Sequence, residues 1–426
     1  MSKITDLINK FCPNGVSYKH LIELGDFYGG LTGKSKSDFV DGNSKFITYV
    51  NVYKNPSLDL NSSEMVKIAE DENQRKLEYL DVIFTGSSET KDECALSSVV
   101  TEVPEEDYYL NSFCFIWRLK DKAIFNPHFL KHLLRSTVMR ERLIKTASGV
   151  TRYNVSKKMM AQVLIPVPPI EIQNYIADLL DSLEKPLLKL IEKIDCEVEL
   201  REKERAFYKQ KCLIFNSDVH VLPIGEVCDV VTDYTAAGSF ADIANNVKYV
   251  DSPDFAMLVR TMDLKSNFRK GNPVYINEHA YKYLWRVQLN KESLVLPNIG
   301  NCGEVYYVIP EKLPYDHNCL GPNAILVRSS HCNNRYLFYI FQSENYLNQL
   351  KKIIAPIGQT KFNKTEFKKL LIPLPSKTRQ EEIVRILDSL ENKYNCLISK
   401  LKRESKIHKM NFEYYRSQVL TFKEAK

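Results

Sequence analysis

Three stretches of this chain carry residue types that could do enzyme chemistry. Gly29-Gly30-Leu31-Thr32-Gly33-Lys34-Ser35 has the glycines, lysine and hydroxyl of a phosphate-binding loop. Such a loop needs four residues between its glycines. Tyr28 stands where the first glycine belongs, and only three residues separate Gly29 from Gly33. Pro253-Asp254 followed by Asp263-Leu264-Lys265 mimics the acidic pair and lysine of a nuclease, a pattern that many chains contain by chance. Asn126-Pro127-His128-Phe129 lacks the second proline of an amino-methyltransferase Asn-Pro-Pro-aromatic motif, and no Gly-rich cofactor strand precedes it. Pro127 is better read as the first turn of a helix. No His/Cys cluster has metal-ligand spacing, and no Ser/His/Asp set is legible. The chain reads as non-catalytic.

Binding chemistry is better represented. Gly149-Val150-Thr151-Arg152-Tyr153-Asn154 and Gly358-Gln359-Thr360-Lys361-Phe362-Asn363 share the pattern Gly-x-Thr-basic-aromatic-Asn. Arg152 and Lys361 can neutralise phosphates, Asn154 and Asn363 can pair with adenine, and Tyr153 and Phe362 can pack on sugar or base. The same loops could instead simply close each domain on its helix. Lys34, Lys36, Ser87, Ser88, Thr90 and Lys91 are further DNA-contact candidates in the first half, and Tyr234, Arg260, Asn298 and Asn301 in the second.

These loops must be positioned by something that occurs twice. Residues 164–215 align with residues 371–422 without a gap, at an offset of 207, with 18 identities over 52 positions. The identities include Pro166/Pro373, Pro168/Pro375, Gln173/Gln380 and the pentad LDSLE at Leu180–Glu184 and Leu387–Glu391. A self-match at fixed offset marks a tandem architecture. Each copy opens with prolines suited to a helix start. Apolar residues then recur at alternating spacings of four and three: Ile172, Ile176, Leu179, Leu183, and Ile383, Leu387, Leu390, Tyr394, Leu397, Leu401. That is the period of a coiled-coil seam. About 45 helical residues make a rod of about 65–70 Å, which Pro186 is expected to kink. An amphipathic helix packed on its own domain would also explain the pattern. Two such helices of matched length favour pairing with each other. The second ends basic from Lys400 onward and the first starts acidic at Glu171, Asp178, Asp181 and Glu184, which suits antiparallel packing.

Between the helices lie two blocks of mixed character. Residues 1–15 read as a short helix closed by Pro13-Asn14-Gly15. Phe46–Val52 and Tyr79–Phe84 are strand-like, and Pro127–Lys145 has helical spacing. Leu222–Val227 answers Ile22–Phe27, Ser293–Asn298 takes the place of Asp81–Gly86, and Arg335–Leu350 is the second block's helix. The expected domains are 1–15, 16–165, 166–217, 218–372 and 373–426. The fold class is therefore α/β (α+β): two blocks joined by two long antiparallel coiled-coil helices in a pseudo-two-fold tandem repeat. The helices are alike while the blocks have diverged, so the helices should be scaffold and the blocks should bind two different things.

Composition is compatible with this. The 426 residues are 44% hydrophobic and 26% charged, with a net charge of +6 that permits a nucleic-acid partner without demanding one. No apolar run approaches a bilayer span. The first residues lack a signal-peptide core. Ten cysteines without a CxxC pair suggest reduced thiols in a cytoplasm.

The doubled Ile-Pro-[Val/Leu]-Pro…Gln…LDSLE helix, the Gly-x-Thr-basic-aromatic-Asn loop and the opening CPNGVSYKHLIELGD together resemble the specificity (S) subunit of type I restriction–modification systems, over essentially the whole chain. The resemblance implies that each block is a target recognition domain reading half of a split double-stranded DNA site. It implies that the helices space the domains and dock methyltransferase (M) subunits, two in number, and through them restriction (R) subunits. S-adenosylmethionine, ATP and Mg would then belong to those partners, with no cofactor in this chain. Arg201, Tyr208, Lys402, Tyr414 and Tyr415, on outward helix faces beside basic residues, are the partner-binding candidates. The rival readings are a protein-interaction scaffold and a self-sufficient nuclease or methyltransferase, for which the motifs are missing. The purified single chain is expected to show no methyltransferase, ATPase or nuclease turnover; an activity abolished by Lys34→Ala or Asn126→Ala would refute this.

Overall fold

The computed structural model describes residues 2–61, 64–216, 219–355 and 360–425. It divides into two compact units, Met1–Cys196 with Leu401–Lys426, and Glu197–Lys400. Each contains one block and parts of both long helices. Among the described residues no helix is long and apolar enough to cross a membrane.

The blocks share a topology that their sequences conceal. In unit 1 a four-stranded antiparallel sheet runs in the order Gly25–Gly29, Cys114–Leu119, Val82–Thr85, Ser97–Val99. In unit 2 the order is Val230–Asp233, Ala324–Arg328, Ser293–Pro297, Tyr306–Val308. Each unit adds a three-stranded sheet with one parallel pair, Ser44–Ile47 beside Tyr108–Leu110 and Ala256–Val259 beside Asn318–Leu320. The central strands Val82–Thr85 and Ser293–Pro297 are buried throughout, which is why they read as apolar runs rather than alternations. A two-stranded ribbon closes each block: Ser17–His20 on Leu164–Val167, with Tyr18 opposite Pro166, and Val221–Pro223 on Leu371–Pro373, with Leu222 opposite Ile372. Of the repeated prolines, Pro166 and Pro373 sit in these short ribbons, where a missing N–H is tolerated.

The repeated identities have a mechanical role. Asn126 caps the helix Pro127–Arg135, and Asn333 caps Asn334–Ile340. Gln173, on the long helix Ile170–Cys212, accepts the Asn126 N–H at 2.9 Å and donates to the carbonyls of Ile124 and Pro168. Gln380, on the long helix Lys377–Val419, accepts the Asn333 N–H at 2.9 Å and donates to Pro375. Two turns on, the LDSLE aspartates take side chains from the first two turns of the same block helices. Asp181 meets His132 Nε2 at 2.6 Å, Lys131 Nζ at 2.7 Å and His128 Nδ1 at 2.8 Å. Asp388 accepts from Arg335 Nε at 2.9 Å and Nη2 at 2.7 Å and from the Tyr339 hydroxyl. The donors stand four apart on one helix face. His132, Asp181 and Glu184 are grouped closely enough to hold a metal ion, but Lys131 Nζ lies 2.7 Å from Asp181 and 3.1 Å from Glu184 and already supplies the cation.

The long helices are continuous over 43 residues each, the first running on through Pro186. In unit 2, Glu204 faces Tyr394, Arg205 faces Asn395 and Lys209 faces Glu391, so the chains run antiparallel. The seam differs from the 3.5-residue expectation. Ile172, Ile176 and Leu180 join the unit 1 core, and Ile383 and Leu387 the unit 2 core. Those turns pack on their own blocks, so the apolar face shifts afterwards to Ile191, Ile194 and Val198, and to Ile398. Leu183 and Leu397, expected inside, are 41% and 37% exposed. Asp181 serves the block helix rather than the basic end of the second long helix.

Three local expectations are corrected. Tyr49–Lys54 is a helix capped by Thr48, not the second half of a strand; the cap and the burial of Asn51 and Val52 outweigh β propensity. Ser136 and Ser343 split the block helices in two by capping the second pieces. The turn Ile224–Val227 corresponds to Leu21–Leu24, three residues away from the match drawn on sequence. The N-terminal helix Ser2–Phe11 buries Ile4 in unit 1, and Val16 bridges to Glu424. Gly15 has φ +103° and lies so near Glu424 and Ala425 that a Cβ would stand 2.7 Å from their backbone.

Gln380→Ala leaves the Asn333 N–H without its acceptor and should cost about 1–3 kcal/mol, read as a shift in the denaturant midpoint with unchanged slope. Burial holds the His132 imidazole below its usual value, against the hydrogen bond to Asp181. Burial alone would raise the Asp181 carboxyl, but hydrogen bonds from His132 and Lys131 hold it well below the carboxylate range. Both groups bind protons more readily when unfolded, so stability falls with pH, first below about 6.5 and then below about 4. His132→Gln should flatten the first part of a thermal-midpoint profile while the second remains.

Candidate nucleic-acid interface

In the first block a small three-stranded sheet gathers most of the sequence candidates. Tyr153–Val155 pairs on one side with Ala147–Ser148 and on the other with Ser87–Ser88, placing Tyr153 opposite Ser88 and Asn154 opposite Ser87. The connection between the first two strands turns at Gly149, at φ +149°, where a Cβ would lie 2.0 Å from the Arg152 carbonyl. Only glycine fits so tight a turn. What was expected to be a plain loop is thus a hairpin.

This hairpin forms one wall of a cleft of about 800 Å³. Tyr49, Tyr53 and Phe113 line the rest of it, with Ser87, Ser88, Glu89, Glu93 and Thr151. Arg152, exposed at the rim, donates to Ser87 Oγ at 3.1 Å and lies 5.3 Å from the exposed Phe113 ring. The Tyr49 hydroxyl donates to the Ser87 carbonyl at 2.8 Å and the Tyr53 hydroxyl to Glu93 at 2.6 Å. Burial raises the Tyr49 phenol and the Glu93 hydrogen bond raises the Tyr53 phenol, so both stay protonated donors. Glu93 also accepts from Ser88 Oγ, whose oxygen accepts the Thr90 N–H. Exposed Lys91 starts the following turn. An exposed guanidinium, aromatic faces and carboxylates able to accept from base amino groups are the ingredients of groove and backbone contact. Lys36 is exposed on a separate turn. Lys34 is not a free cation: it is ion-paired to Glu72, with its side chain 10% exposed.

The second block assembles a different set. Lys361 bridges to Ile299, the Gly300 N–H donates to the Thr360 carbonyl at 2.8 Å, and the Phe362 N–H donates to the Asn298 carbonyl at 3.1 Å. Asn298, Asn301, Thr360 and exposed Lys361 are thereby neighbours along two crossing segments. Gly358 and Gln359 lie outside the described residues. Among the described residues the Asn298 side-chain oxygen is buried without a hydrogen-bond partner.

Four candidates are spent elsewhere. Phe362 is buried on Phe367 in the core. Asn363 caps the helix Lys364–Lys369 by accepting the Glu366 N–H at 2.8 Å. In the first block that cap is Ser156, so the two alike loops hold their asparagines in different roles. Tyr234 is buried, its hydroxyl bonded to that of Tyr249. Arg260 clamps Asp263 through Nε and Nη2 and donates to the Asn272 carbonyl.

The structure also shows surfaces that residue types alone did not reveal. A second cleft of about 790 Å³ in unit 2 is lined by Trp285, Arg286, Lys291, Lys364 and Lys368, together with Asp229 and Glu292. Trp285 is 65% exposed, and the Arg286 guanidinium lies 5.0 Å from its ring. The adjacent Trp-Arg pair was the available signal. Tyr49 and Tyr53 were hidden because their helix read as strand. On the long helices, Tyr208 and Tyr414 are exposed, as is Lys402. Arg201 sits between Glu197 and Glu204, 2.7 Å from each. Tyr415 does not face outward: one helix position from Tyr414, it packs against the unit 1 core.

The family model for the type I restriction modification DNA specificity domain matches residues 13–200 and again 216–407. A protein of Haemophilus influenzae assigned as a type I restriction enzyme specificity subunit is 23% identical over 328 residues, covering 74% of this chain and 77% of that one. The type I restriction enzyme MpnII specificity subunit of Mycoplasma pneumoniae is 34% identical over 103 residues, 24% of this chain and 29% of the relative's length. A chain from a structure of the assembly and conformational transition of the type I R-M system superposes with TM-score 0.68 at 14% identity, covering 96% of this chain and 98% of that one, which is a likeness of fold. With the family domain matched twice over most of the chain, the protein belongs to the type I restriction–modification specificity family, as a specificity subunit with two DNA-recognition domains.

Proposed function

We propose that each recognition domain contacts one half of a split double-stranded DNA site, and that the long helices hold two methyltransferase subunits through which restriction subunits join. The observation that carries this is one topology used twice with unlike linings: Arg152, Ser87, Tyr49 and Phe113 in the first block, and Asn298, Lys361, Trp285 and Arg286 in the second. Two copies of one fold that expose different donors, acceptors and rings are suited to reading two different sequences. The chain itself is the non-catalytic part. S-adenosylmethionine in the methyltransferase subunits, and ATP with Mg in the restriction subunits, would supply the chemistry, in the cytoplasm. Tyr208, Tyr414, Arg201 and Lys402 support helix docking by lying on faces that neither core consumes.

The reading has a salt signature. Each phosphate contact contributes about −0.9 to the slope of log K against log salt. Arg152→Ala and Lys361→Ala should each weaken DNA binding and make that slope shallower by about 0.9, measured by titration of labelled duplex with the assembled complex. Asn363→Ala should instead cost about 1 kcal/mol of stability and leave the slope alone. Salt-independent association would favour a protein scaffold. Exchanging residues 16–165 for the block of a relative should change one half-site and leave the other, as read by methylome sequencing. Adding one heptad to each long helix, about 10 Å, should alter the unread gap by about 3 base pairs. A continuous site, or halves that change together, would be incompatible with this reading.

A further inference from the structure

Within unit 1 a groove of about 590 Å³ opens between the block helix and the two long helices, and it has no use in the reading above. Six cationic side chains line it against two carboxylates. One pair cancels locally, Lys131 with Glu184 at 3.1 Å. At the floor, Arg135 donates to three backbone carbonyls, those of Ser97, Val52 and Tyr53, at 2.6–3.0 Å. Carbonyls satisfy its hydrogens but not its charge. Arg416, 6% exposed, donates from Nη2 to the Arg135 carbonyl and pairs with Glu413, while its Nε–H is buried with no acceptor among the described residues. Two guanidiniums thus crowd one floor; burial and mutual repulsion with Arg140 and Arg416 push Arg135 down to about 10. Burial also raises the Glu413 carboxyl, which weakens it as the counter-ion paired with Arg416.

The internal repeat supplies a control. At the offset of 207, Arg135 corresponds to Gln342 and Arg416 to Lys209. In unit 2 that pair is complete: Lys209 Nζ donates to Gln342 Oε1 at 2.5 Å and lies 3.3 Å from Glu391. Unit 1 puts a second cation where unit 2 has a neutral amide. Buried charge without compensation is costly, and an unpaired buried donor calls for a partner.

We propose that this groove is a binding site for a phosphate group, carried by a free nucleotide or present as inorganic phosphate. A multivalent anion matches an excess of several positive charges better than a carboxylate does. Lys54, Lys185 and Lys409, exposed at the mouth, attract it to the arginines below. The volume lies within the usual range of small-molecule sites, and Leu187, Leu188, Ile191 and Phe412 provide an apolar wall for the organic part of a nucleotide.

The test is calorimetric titration of the full chain, at constant ionic strength in chloride, with magnesium-free ATP and separately with inorganic phosphate. At least one should bind with micromolar affinity. Binding of both assigns the recognition to the phosphate alone; binding of ATP only assigns it to the nucleotide. The exposed double variant Lys185→Glu/Lys409→Glu should weaken the affinity at least tenfold with an unchanged unfolding midpoint. Lys189→Glu, on the same helix outside the groove, should leave the affinity unchanged. Arg416→Gln should abolish binding. If neither probe binds below millimolar, if Lys189→Glu weakens binding as much as the groove variants, or if only duplex DNA responds to the groove substitutions, the proposal is wrong.

Discussion

A glutamine and an aspartate, two turns apart on each long helix, hold each block helix at its N-cap and along its first two turns. Gln173 and Gln380 occupy the first backbone N–H of the capped block helix, and Asp181 and Asp388 take the cations and hydroxyl one turn further along. The block helices are themselves core: Phe129, Leu130 and Leu133 in one unit, and Tyr336, Leu337 and Ile340 in the other. Whatever fixes these helices fixes the sheets packed on them, and through the sheets the hairpin of Arg152 and the crossing of Asn298 with Lys361. The first contact is neutral and buried in both units, so losing it strands a backbone N–H; the charged contact is well covered in unit 1, where the Asp181 side chain is 17% exposed, and more open in unit 2, where that of Asp388 is 38% exposed.

The partners of Asp181 and Asp388 are chemically unlike, His128, Lys131 and His132 in one unit and Arg335 with Tyr339 in the other. One long-helix residue therefore accepts several solutions from the block, provided that donors stand four apart. A common scaffold can carry blocks of different sequence on that condition, and the shared strand order of the two blocks shows it met twice. The cost of the difference falls on the surface, where one block exposes tyrosines and an arginine and the other a tryptophan with lysines.

Much of the architecture was legible because it rests on local periodicity and on self-comparison: the two helices, their offset, the presence of the block helices and the central strands. The site was less legible. Lys34 looked like a phosphate ligand because Glu72 stands 38 residues away, and no local rule pairs them. Tyr234 is held by burial in a tertiary core. Arg260 and Asn363 were more readable than that: an acidic residue three positions later, Asp263 and Glu366, is the signature of a helix start. Tyr414 and Tyr415 differ by about 100° of helical phase, which separates a solvent face from a core face. The seam failed beyond its first turns because a period cannot say which neighbour an apolar stripe meets.

The stitching of Val16 to Glu424 and the burial of Val419, Leu420 and Phe422 beside Phe129 bear on how the chain is made. Unit 2 is one uninterrupted stretch, whereas unit 1 is assembled from two segments that flank unit 2 in sequence. The earlier-made portion of unit 1 must wait, its core open along one side, while all of unit 2 is synthesised. The segment that follows unit 2 acts as a latch on a domain whose larger part was made before unit 2 began.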